Sequence, residues 1–234
     1  MEQWLEWARG PLFRFAVAVM LLGLFRLVIL NVIGLISLTL RARDRRIPVK
    51  TVVRDTVKWL FPFNRVSTGQ LFFTAVSVLF HTCIIVVPIF LGAHILLWER
   101  GLGIGWVTLN QDLADIMTIL AIVTSVVLFA RRVSTRLTRS LSRVQDYALP
   151  LLIATPFVTG YFAMHPAMNP FNYDATMLVH VLSSNLIFIL IPFSKLSHVA
   201  LFPTTQLVSE LGWHLVPGGG SGVALALGKE GEPV

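Results

Sequence analysis

A single cysteine, Cys83, stands in the whole chain. That excludes a disulfide framework and a thiolate-ligated metal site. It lies inside an apolar run, where a small buried core residue is the ordinary reading. Charge is scarce too: Asp, Glu, Lys and Arg together make 13% of the residues, against 55% hydrophobic types. A soluble domain of 234 residues needs far more polar surface, so lipid is the natural solvent for most of this sequence. Internal repeats, low-complexity tracts and nucleotide-binding loops are all missing.

What is there begins with apolar runs long enough to cross a bilayer, which takes about 20 residues each. Five qualify, at 12–40, 70–98, 112–130, 147–164 and 176–199. The first carries Arg14 and Arg26 and has no small-residue cleavage site after it, unlike a secretory signal. The formal charge of +7 is concentrated in alternate connections. Arg41, Arg43, Arg45, Arg46, Lys50, Arg54, Lys58 and Arg65 lie between the first two spans, against Asp44 and Asp55. Arg131, Arg132, Arg136, Arg139 and Arg143 lie between the third and fourth. The other two connections hold Arg100 and no other cation. Basic loops alternating with neutral ones follow the positive-inside pattern. The expected fold is therefore an all-α, integral-membrane five-helix bundle with its N-terminus outside and its C-terminus cytoplasmic. Residues 1–199 form the bundle, and 200–234 form a Gly-rich cytoplasmic tail too polar to span. A short amphipathic piece around Val52 to Phe63 is expected at the interface. Trp98, Trp106, Tyr161, Phe162 and Tyr173 fit interfacial aromatic belts.

Four of the six histidines fall in two spans: His81 and His94 in the second, His180 and His198 in the fifth. Ionisable side chains at membrane depth are costly and usually functional. The two spans run in opposite directions, so depth pairs His81 with His198 on the inner side and His94 with His180 on the outer. Each pair would present two imidazoles, and haem iron accepts two such axial ligands. On ideal helices His180 and His198 share a face about five turns apart, whereas His81 and His94 lie about 140° apart. Pro88, between the latter two, is placed to change the helical phase. The two rises, about 20 Å and about 27 Å, also differ and call for unequal tilt.

The segments FHTCIIVVPIFLGAH and HVLSSNLIFILIPFSKLSH carry these histidines. With the five spans in the same order, they make the chain resemble the gamma subunit of respiratory nitrate reductase and its wider superfamily. That superfamily includes the membrane cytochromes paired with heterodisulfide-reductase-like iron–sulfur proteins. The longer spacing in span two and the tail motif ELGWHLVPGGG are more similar to this second branch. The resemblance implies two b haems, with His81 and His198 on the inner haem iron and His94 and His180 on the outer. It further implies quinol (menaquinol is expected) oxidised near the outer haem, with protons released outside. Electrons would pass through both haems to a cytoplasmic iron–sulfur subunit, or in reverse toward quinone, in a prokaryotic cytoplasmic membrane. The chain would perform only the quinone half-reaction of a larger oxidoreductase complex.

A quinol site needs a proton acceptor, and His165, Tyr173 and Asp174 in the outer connection are the candidates beside their plainer reading as loop and belt residues. Haem propionates want cations: Lys195 suits the inner haem and Arg14 the outer. Arg26, near the centre of span one, must meet a propionate, reach a polar cavity or snorkel. His214 is read as a docking or solvent residue of the tail. Gly92 and Gly160 offer close approach to a flat macrocycle or, equally, close helix packing. The alternatives are a haem-free anchor of the same fold and a proton-relay transporter. A relay would want carboxylates beside the histidines, and the spans offer only Asp112 and Asp115 at the outer start of span three.

Overall fold

A computed structural model of the chain describes residues 1–41, 49–60, 71–215, 218–226 and 228–230, and among these there is no strand. Helices are what a chain in lipid must form, because each backbone N–H and C=O has to find its partner within the segment. The helices are α1 (Glu2–Trp7), a π-helical turn (Ala8–Leu12), α2 (Phe13–Arg41), α3 (Val49–Leu60), α4 (Leu71–Phe90) and α5 (Gly92–Leu102). They continue with α6 (Gln111–Ser134), α7 (Arg136–Leu141), α8 (Val144–Met164), α9 (Tyr173–Leu190), α10 (His198–Leu215) and α11 (Gly219–Ala226). Five stretches are long and apolar enough to cross a membrane: Glu2–Leu40, Leu71–Phe90, Gln111–Ser134, Val144–Met164 and Tyr173–Phe193. They match the five runs expected from the sequence.

Contacts divide the chain into two units, Met1–Val17 with Val66–Ile189 and Ala18–Arg65 with Leu190–Val234. In the first, α6 packs against both α4 and α8. Their shared core is Cys83, Val87, Ala121 and Phe157, so the lone cysteine is indeed a buried packing residue. Polar side chains on these helices are satisfied locally or across the seam: Thr118 donates to the Ala114 carbonyl, and Ser125 donates to Pro150 of α8 at 2.7 Å. Asn110 caps α6 by accepting from the Asp112 N–H at 2.8 Å. At the opposite end Arg132 pairs with Asp146 at 3.1 Å and the Arg131 guanidinium lies 3.8 Å from the Phe73 ring centre.

In the second unit α3 packs against α10. α3 is the amphipathic piece expected before span two. Lys50, Arg54 and Lys58 recur every four residues on one of its faces, and all three are exposed. Gly23 of α2 sits hard against Pro192: a β-carbon there would fall 2.5 Å from the proline Cβ, closer than real side chains approach. Of the basic first connection, residues 42–48 and 61–70 lie outside the described residues, and with them Arg43, Arg45, Arg46, Arg65 and the Phe63 end of the amphipathic piece.

Two expectations about helix continuity are corrected. Span two does not run unbroken through 98. It breaks at Leu91, whose φ of −68° and ψ of 126° are extended, and α5 begins afresh at Gly92. Span five is likewise not continuous to 199: α9 ends at Leu190 and 3-10 turns at Ile191–Phe193 and Lys195–Ser197 intervene before His198 opens α10. Pro192 explains this, because it has no N–H to donate and its ring crowds the preceding turn. Ser194 then takes an extended backbone and caps the next turn through its hydroxyl, which accepts from the Leu196 N–H. The five-turn, one-face relation between His180 and His198 therefore does not hold. The tail carries the helical stretches α10 and α11.

Candidate functional site

The break at Leu91 strips three carbonyls, those of Pro88, Ile89 and Phe90, of their helical donors. In lipid each would cost several kcal/mol if left alone. All three are met from outside the helix. The Trp106 indole N–H donates to Ile89 at 2.9 Å, and the Leu109 N–H donates to Phe90 at 2.8 Å. The third donor is His94, whose Nδ1–H reaches the Pro88 carbonyl at 3.0 Å. The loop after α5 thus folds back over the break, and the break fixes both the orientation of His94 and its tautomer. Nδ1 carries the proton, which leaves Nε2 as the nitrogen with a lone pair able to bind a metal.

His180 of α9 is held in the same manner by a different helix. Its Nδ1–H donates to the Pro156 carbonyl of α8 at 2.8 Å. Gly160, one turn further along α8, makes room for the ring: a β-carbon there would lie 3.0 Å from His180 Cε1 and 3.1 Å from Nδ1. The space that Gly160 leaves is filled by the imidazole itself, so the glycine seats the His180 ring.

These two half-buried rings lie side by side within the unit. Their centres are 6.0 Å apart and their planes lie within 19° of parallel. Two imidazoles on one iron should sit about 6 Å apart, from ~2 Å for each Fe–N bond and ~1 Å from nitrogen to ring centre. A direct N–H···N hydrogen bond would draw them to about 5 Å. Both Nδ1 atoms are already committed to carbonyls, the arrangement that haem-ligating and metal-ligating histidines use. The residues fit a bis-imidazole haem. The described residues hold no cluster of three or more His, Cys, Asp and Glu, and a six-coordinate haem takes only two protein ligands.

The other sequence candidates are placed as follows. His81 is exposed on α4, with Nδ1 on the Ser77 carbonyl at 2.7 Å and its ring edge-on to Phe80. His198 is exposed at the start of α10, with Nδ1 on the Lys195 carbonyl at 2.6 Å. His81 belongs to the first unit, and His198 and Lys195 to the second. Arg14 is exposed in the first turn of α2, its Nε donating to Gly10 at 3.4 Å. Arg26 is exposed midway along α2. Tyr173 and Asp174 open α9, where Asn172 caps the helix by accepting from the Asp174 N–H at 2.8 Å. His214 lies in α10, its side chain outside the described residues.

His165 ends α8 and does not stand alone. Its Nδ1–H donates to Tyr161 at 2.9 Å, its Nε2 meets Asp115 Oδ2 of α6 at 3.2 Å, and the Tyr161 ring stacks on it at 4.3 Å. Gln111 donates to the other oxygen of Asp115 at 2.9 Å. Sequence reasoning named His165 but not Asp115 as its partner, since the two lie fifty residues apart on different helices. It also passed over Asn185, which is 1% exposed. Its Nδ2 donates to Ala8 in the π-helical turn at 2.9 Å, and its Oδ1 has no partner among the described residues. A lone amide in the apolar stretch NLIFIL was the available signal.

A protein of Nitratidesulfovibrio vulgaris is 36% identical to this chain over 157 residues, which are 67% of this chain and 68% of that protein. No known family profile matches the chain. No solved structure matches it either.

Proposed function

We propose that this chain, which belongs to the same family as the Nitratidesulfovibrio vulgaris protein, is a membrane cytochrome b subunit that exchanges electrons between a quinone pool and a partner on the cytoplasmic side. One observation carries the reading: His94 and His180 hold their rings near-parallel at 6.0 Å, each with Nδ1 tied to a backbone carbonyl. Bound between them, a haem supplies one-electron chemistry. The chain's own contribution is to orient the ligand nitrogens, keep both imidazoles neutral as donors and exclude water with the α4–α6–α8 core.

His81 and His198 are assigned to a second haem from their depth in the sequence and from the resemblance to the nitrate reductase gamma superfamily. Lys195 and Arg14 are assigned to haem propionates, and Arg26 to a propionate or a polar cavity. Alternating basic loops support an N-terminus outside and a cytoplasmic C-terminus in a prokaryotic inner membrane. The basic α3 and the tail helices are then the face offered to a cytoplasmic iron–sulfur subunit.

The reading is tested by adding a reduced menaquinone analogue to membranes containing the chain and recording the absorption spectrum. A b-type α-band that grows with quinol and is reversed by oxidant is expected. No haem absorption, before or after dithionite, would return the chain to the haem-free anchor or transporter reading.

A further inference from the structure

We infer that Asp115, held by His165 and Gln111, is the carboxylate that accepts the quinol hydroxyl protons at the outer end of the bundle; this deepens the quinol reading above and rests on it. Both ring nitrogens of His165 face acceptors, the Tyr161 carbonyl at 2.9 Å and Asp115 Oδ2 at 3.2 Å. With both ring nitrogens so engaged, His165 has none left for a quinol hydroxyl, so it is not itself the acceptor. An ionised carboxylate has about four acceptor positions, and Asp115 uses one for His165 and one for Gln111. Among the described residues the remainder are open, and the side chains are 23% exposed for Asp115 and 29% for His165. A group this accessible at a helix end admits a planar headgroup from the lipid edge.

Position fits the same role. Gly160 touches the His180 ring, and His165 lies five residues further along α8, about 7.5 Å by helical rise. Tyr161, stacked on His165 at 4.3 Å, is one residue past the glycine. The carboxylate–imidazole pair therefore stands about one and a half turns beyond the proposed outer ligand, on the helix that anchors that ligand. For each electron leaving the quinol, one O–H bond breaks and one O–H bond forms on Asp115; the one-electron acceptor would be a haem, which His94 and His180 would hold. The carboxylic acid then releases its proton to the outer aqueous phase, and the cycle repeats for the second hydroxyl. His165 and Gln111 act as positioning residues that hold the carboxylate in place.

The test compares membranes of wild type, Asp115→Asn and, as a second variant, His165→Gln. Three readouts are taken: the haem spectrum, affinity for a fluorescent 2-alkyl-4-hydroxyquinoline N-oxide as quinol analogue, and the rate of haem reduction by quinol. The expected result is an unchanged spectrum in Asp115→Asn, with analogue affinity weakened about tenfold or more. Haem reduction by quinol should slow by roughly 100-fold or more. Wild-type affinity and rate in either variant with its haem intact would overturn the inference and leave the pair as a tie between α6 and α8. Should the wild-type chain hold no haem, the analogue titration still reads this site. Binding that Asp115→Asn weakens would support it, and no binding in wild type would overturn it.

Discussion

His94 and His180 differ from His81 and His198 in what holds them. The first two are half-buried, and their Nδ1 bonds are structural events: one heals a helix break, and the other ties α9 to α8 across 24 residues of sequence. The other two are exposed, and their Nδ1 atoms meet carbonyls of their own local turn, four and three residues back. Ligands held by long-range bonds are oriented before any cofactor arrives. The first pair is therefore oriented by the fold itself, while the second is assigned from sequence pattern.

The contrast can be broken most severely at His180. His180→Ala should abolish the haem assigned to His94 and His180 while the other remains, halving haem per chain in a pyridine haemochrome assay. Loss of both haems would merge the two sites. Gly160→Val comes next, because even a β-carbon would meet the His180 ring at 3.0 Å. The variant should lose most of that haem, whereas Gly92→Ala, where the nearest atom is Thr108 Cγ2 at 3.7 Å, should keep it. In the second unit, Gly23→Val should force α2 off Pro192 and lower the thermal unfolding midpoint with the His94–His180 spectrum retained. Trp106→Phe is the mildest. It removes the donor to Ile89 at an interfacial position and should cost about 1 kcal/mol, read as a small drop in thermal midpoint and a broadened band from the His94 haem alone. An unaltered band with a large fall in stability would mean that the loop supports the fold and not the ligand.

Much of this was legible in the chain. Apolar length marked the five spans, and depth alone paired His94 with His180. The 140° phase error between His81 and His94 was an honest product of ideal-helix arithmetic, and Leu91 is its physical answer: the helix restarts, so phase does not carry across. Pro88 announced trouble, yet the position of the restart depends on Trp106 and Leu109 returning from a later loop to meet the orphan carbonyls. Such long-range rescue has no local signature. Pro192 similarly hid the end of α9, because the apolar run continues smoothly past it. The Asp115–His165 pair was invisible for the same reason, its members being brought together only by the packing of α6 on α8. Asn185 was readable as an anomaly, but its partner, a carbonyl in a π-helical turn near residue 8, was not.

The measurement that bears most directly on the central claim is low-temperature electron paramagnetic resonance of the oxidised protein, with haem quantified on the same sample. Near-parallel imidazole planes, 19° apart at His94 and His180, predict a rhombic low-spin ferric signal that disappears in His180→Ala. A sample without low-spin ferric haem, or one whose signal survives that substitution unchanged, would contradict the assignment.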